Sequence, residues 1–181
     1  MLRERIPAWH EILGVLGVVV FAVHSWSVYG FLFNLPAFIL KYRPGEILAV
    51  FFYHMVFAFF ESFCIGLVLV VLSAILPSAW MRKGFVHKGF LLVLAAAIGA
   101  VALQNSFSYA IFEFDASNMH LLYERLGVGV LLFAGIWALT HYVAGLQKLL
   151  VRLVEQISIM LYIYLPLDVI GLLVVGWRLL R

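Results

Sequence analysis

A chain of 181 residues that is 66% hydrophobic and only 12% charged lies far from the globular average of about half apolar and a quarter charged. That balance excludes an ordinary soluble domain and describes a membrane chain. Twelve Lys and Arg against nine Asp and Glu give a net charge of +3; the positive residues form no basic stripe with interleaved aromatics, so no nucleic acid is expected as partner, and anionic lipid headgroups account for them.

Five apolar stretches follow in chain order, at 10–35, 46–76, 89–112, 121–145 and 156–180. Each meets or exceeds the roughly 20 residues that cross a bilayer as helix. They predict an all-α, multi-pass transmembrane bundle of five helices with short loops, built as one integral membrane domain over 1–181. Connections this short leave no room for a soluble catalytic domain. Any activity must sit within the helices or at their surfaces.

The first stretch follows MLRERIP, a basic start that invites comparison with a signal peptide. Its apolar run is longer than the usual signal core, contains His24 and Trp26, and leads to no small-x-small cleavage pattern, so it reads as an uncleaved span opened by Pro7. His24 shares a helical face with Gly17 and Ser27, small residues that permit close helix approach. In the second stretch, VFFYHMVFAFFES places His54 and Glu61 seven positions apart, within about 20° of one another on a helix. Phe52, Phe59 and Phe63 fall on the other side. The pair is therefore expected to face protein, with Glu61 neutral or partnered by the first or last helix, because an unpaired charge at mid-bilayer costs roughly 2.5 to more than 10 kcal/mol. Cys64 is the single cysteine, which excludes an internal disulfide, a CxxC redox pair and a cysteine-ligated iron–sulfur cluster.

The third stretch carries Ala95-x3-Gly99 and Ala96-x3-Ala100, a close-packing pattern, followed by Gln104 and Ser108. Those two polar residues fit interhelical hydrogen bonds or a hydrated outer vestibule. The connection beyond it holds Glu113, Asp115, His120 and Glu124, whose His-x3-Glu spacing is one that metals use, although an exposed acidic loop has the same composition. Ser117-Asn118 can cap the fourth span. His141 lies there on a small-residue stripe with Gly127, Ala134, Ala138 and Gly145, which reads as a packing face. Segment 146–157, LQKLLVRLVEQI, sets Lys148, Arg152 and Glu155 along one side of a helix. It fits an interfacial partner-binding helix and, more simply, a solvated turn into the last span. In that span Pro166 frees the carbonyl of Tyr162, and Tyr164 shares the face of Asp168 at i−4.

His24, Glu61 and Asp168 all fall near the middle of their spans. With His54 and Tyr164 they form a candidate midplane cluster that could relay protons or bind a cation; the alternative is a set of hydrogen bonds that only fixes helix register. His24 and His54 also lie at comparable depth, the arrangement that bis-histidine ligation of haem b requires, although ordinary hydrogen-bonding histidines would look the same. No HExxH, GxSxG, Walker-type loop or duplicated CxxC is present, so no catalytic residue is assigned and the reading leans against an enzyme. Seven Lys and Arg on the side of the N terminus against five on the other place the N terminus in the cytoplasm and the C terminus outside, in a cell membrane. The leading expectation is a non-enzymatic subunit or scaffold of a membrane assembly, its partners the lipid bilayer and other membrane subunits. A proton- or ion-coupled transporter is the second expectation, and a b-type haem electron-transfer subunit the third.

Overall fold

Inside a bilayer every backbone N–H and C=O must find its partner within the chain, and a helix does so locally. The computed structural model describes residues 7–76, 84–110, 123–124, 127–131, 134–135, 137–138 and 144–180, and no strand occurs among them. Five helices are delimited: α1 (Trp9–Lys41), α2 (Pro44–Ile75), α3 (Phe85–Ala110), α4 (Ala144–Ser158) and α5 (Leu161–Leu179). Four segments are long and apolar enough to cross a membrane: Trp9–Lys41, Pro44–Ile75, Phe85–Ala102 and Gly145–Leu179. The molecule is an all-helical transmembrane bundle. Much of the predicted fourth span, 121–145, lies outside the described residues; those described between 123 and 138 are helical.

The helix starts follow from local chemistry. Glu11 Oε2 accepts the Ala8 N–H at 3.0 Å, and Glu46 Oε2 accepts the Arg43 N–H at 2.8 Å. Each glutamate thereby satisfies a backbone donor that the first turn leaves orphaned, and its charge complements the positive end of the helix dipole. Pro44 opens α2, where its missing N–H costs nothing. Only Tyr42 and Arg43 separate α1 from α2, so the two pack as an antiparallel hairpin, with Leu16 against Gly66 and Phe31 against Phe51. At 33 and 32 residues these helices are about 50 Å long, well beyond a hydrocarbon core of about 30 Å.

α1 touches each of the other four delimited helices. Gly89 of α3 lies against Val15, and farther along both helices Val101 and Trp26 line the same cavity, so α3 runs in the direction of α1. The same holds for the last two helices. Val154 meets Gly14, Ser158 meets Gly17, and Tyr164 meets Ser25. α3, which ends at Ala110, and α4, which begins at Ala144, both run with α1, and the interval between them is described only in part. Trp137, in that interval, packs against the core that holds Val15 and Leu150.

Segment 146–157 departs from the sequence expectation of a solvated turn. It lies within the 15-residue helix α4, with Leu150 and Val154 buried against α1 and α3 while Lys148, Arg152 and Glu155 stay exposed. The apolar residues recur at helical spacing, and that stripe had enough core to join. Only Ile159 and Met160 separate α4 from α5. Lys88, in the first turn of α3, is buried, with Nζ 5.8 Å from the Trp137 ring centroid, within cation–π range.

Gly17 is where α4 comes closest. A Cβ there would lie 2.9 Å from both Cα and Cβ of Ser158, so even alanine forces the two helices apart. Gly17→Ala is expected to lower stability by about 1–3 kcal/mol, the usual cost of overpacking. Gly30→Ala, with nothing within 4 Å of the new methyl, should leave it unchanged. Unfolding of each variant in mixed detergent micelles measures both.

Candidate functional site

α5 is seated on α2 by Gly171, where a Cβ would lie 3.1 Å from Val56 Cγ2 and 3.3 Å from the Phe52 carbonyl oxygen. The absent side chain lets the two backbones approach. Asp168, one turn before Gly171, is thereby carried into the seam between α1 and α5 and is 3% exposed, facing a His24 that is fully buried. Asp168 Oδ1 lies 2.9 Å from His24 Nε2, and His24 Nδ1–H donates to the Val20 carbonyl, also at 2.9 Å. A carbonyl can only accept, so Nδ1 carries hydrogen and Nε2 is left to deal with the carboxyl.

One proton therefore lies on the line between Nε2 and Oδ1. If the imidazole holds it, the pair is imidazolium and carboxylate; if Asp168 holds it, both groups are neutral and Oδ1–H donates to Nε2. The net charge of the pair is zero in both cases. Removing the proton would set a lone pair against a carboxylate, which a buried seam resists. Tyr164, one turn before Asp168, covers the arrangement: its ring centroid is 4.8 Å from that of His24, and its hydroxyl shares a 3.4 Å hydrogen bond with Ser25 Oγ in which either oxygen can donate. Ser25 was not singled out in the sequence. Nothing but its position beside His24 distinguishes it there.

The structure thus brings His24, Tyr164 and Asp168 together and places the other two members of the expected cluster elsewhere. The buried stripe of α2 runs through Met55, Ala58, Ser62 and Leu69, one residue onward from His54 and Glu61, a rotation of about 100°. His54 is half-buried, donates Nδ1–H to the Val50 carbonyl at 2.9 Å and meets the edge of Phe31. Phe31 is two turns along α1 from His24. A haem held by both histidines would have to pull His24 from Asp168, because both of its ring nitrogens are engaged. Glu61 is exposed and makes no hydrogen bond or ion pair with any described residue. It lines a cavity of about 300 Å³ bounded by α1, α2 and α3, whose other walls include Val23, Trp26, Ile65, Val93 and Ala97.

Of the metal candidates, Glu113, Asp115 and His120 lie outside the described residues, as do Ser117, Asn118 and His141; Glu124 is helical and exposed. Among the described residues no three His, Cys, Asp or Glu side chains converge as a metal would require. Gln104 is exposed, and the side chain of Ser108 lies outside the described set. Comparison of the chain with family models, curated proteins and solved structures found no match.

The single-proton geometry makes a test possible on Asp168. Asp168→Asn supplies an N–H to Nε2 in place of the shared proton and should hold stability within about 1 kcal/mol of the parent. Asp168→Leu leaves Nε2 facing a side chain that offers it nothing and should cost roughly 3–5 kcal/mol, much of it recovered in the His24→Leu/Asp168→Leu double variant. A double-mutant cycle in mixed micelles reads the coupling. Equal losses for Asn and Leu would refute the shared proton.

Proposed function

We propose that this chain is a non-enzymatic subunit of a membrane assembly and that the His24–Asp168 pair is an internal fastener of its bundle. The observation that carries this reading is the closed bonding of the pair. Both imidazole nitrogens are used, one on Val20 and one on Asp168, and the shared proton is committed to holding α1 against α5. A relay group needs a partner to pass its proton to, and the Tyr164 hydroxyl is engaged in a hydrogen bond with Ser25 on the same two helices. The outward faces supply contact surface instead: Phe57, Phe63, Leu165 and Leu173 are exposed and apolar. Lipid covers such faces in a lone bundle, and other membrane subunits cover them in an assembly. The charge bias supports an N terminus in the cytoplasm and a C terminus outside, in a cell membrane.

A second reading, a proton- or ion-coupled transporter, is favoured by a different observation. Glu61 is a carboxyl near the middle of α2 that borders a cavity, and ionisable groups at such depth commonly mark ion pathways.

Gentle solubilisation of the tagged chain is expected to recover a membrane partner in fixed stoichiometry, and the purified chain in liposomes should carry no proton flux. Flux that disappears in Glu61→Gln while the fold persists would replace the subunit reading with the transporter. Topology reporters fused after Lys83 and at the C terminus should report inside and outside respectively; the reverse pattern would overturn the orientation.

A further inference from the structure

The cavity between α1, α2 and α3 has a chemistry of its own, separate from the His24–Asp168 seam. Its volume of about 300 Å³ is at the lower end of small-molecule sites, which span about 300–1,000 Å³. The walls are valine, isoleucine, leucine-free stretches of alanine, and two residues of another kind, Trp26 from α1 and Glu61 from α2. A carboxyl and an indole bordering one apolar space are complementary to a single class of ligand. The carboxylate attracts positive charge, and the indole face is the strongest aromatic acceptor for a cation. We infer that this cavity binds a small hydrophobic organic cation, an ammonium carrying an apolar group.

Other ligand classes fit the cavity less well. An anion would meet Glu61. A sugar or polyol would find one polar side chain for many hydroxyls and leave the rest unmet against alkyl walls. A neutral hydrocarbon would fill the space but leave the carboxyl without a counterpart, and no described residue supplies one. The ammonium of a lipid headgroup belongs at the membrane surface, about 15 Å from the midplane, whereas Glu61 sits close to the centre of Pro44–Ile75. A free cation is therefore the occupant. Ala97 of α3 leaves room for its apolar group, and Val23 and Ile65 line the space beside it. The inference concerns binding and stands whether or not transport accompanies it.

The test uses the full chain in lipid nanodiscs and two probes of matched shape, benzyltrimethylammonium and its uncharged carbon analogue neopentylbenzene. Saturation-transfer NMR titration should show the cation binding at least tenfold more tightly than the neutral analogue. Glu61→Gln should erase that preference, and Trp26→Leu should weaken the cation while Trp26→Phe retains part of it. Ala97→Leu, which fills the cavity without altering a charge, should exclude both probes; circular dichroism melting shows that each variant is folded. Equal binding of the two probes, undiminished cation binding in Glu61→Gln, or no saturable binding by the parent chain would overturn the assignment.

Discussion

One proton, confined between His24 Nε2 and Asp168 Oδ1, is the constraint around which the bundle is organised. It lets two ionisable groups lie buried near the middle of their helices with no net charge, in a place where either alone would be costly. The Val20 carbonyl fixes which imidazole nitrogen is available, so the bond has one geometry and α1 and α5 have one relative register. Other contacts make that geometry reachable. Gly171 brings α5 onto the backbone of α2, Gly17 brings the end of α4 onto α1, and both bare positions shorten the distance over which the carboxyl must reach.

The bundle divides along its length. Towards the start of α1, Val15, Val18 and Val19 are packed by Phe85 and Phe90 of α3 and by Leu150 and Val154 of α4 into a continuous apolar core. Farther along, the alanines of α3 replace bulk with space, and a cavity opens where Glu61 and Trp26 face it. Large residues thus secure one end and small ones vacate the other. The polar seam of α1 and α5 lies on a different side of α1 from that space.

The helical membrane class was legible in the sequence because long apolar runs admit only one spanning structure in a chain of this kind. The position of His24, Glu61 and Asp168 near the middle of their helices was legible too, since it depends only on counting along a span. Rotation was not. Glu61 and Asp168 are both carboxyls near the middle of their helices, and which of them meets His24 is decided by the facing of α2 and α5, set by contacts such as Gly171 with Phe52 and Val56. A shift of one residue in the buried stripe of α2 separates Glu61 from the expected cluster. Segment 146–157 was misjudged for a related reason: its charges suggested solvent, but the fate of its leucines and valines depended on whether α1 offered a complementary surface.

The two members of the central pair are 144 positions apart in the chain. A ribosome delivering this protein into a membrane releases His24 long before Asp168 exists, so the first helix must wait in lipid or beside α2 with its imidazole engaged only to its own backbone. The hairpin of α1 and α2 can form early, joined by a two-residue turn. The bond to Asp168 needs α5 and so follows the hairpin. Until α5 is made, the second ring nitrogen of His24 has no carboxyl to meet, so the seam between α1 and α5 is assembled onto a hairpin that already exists.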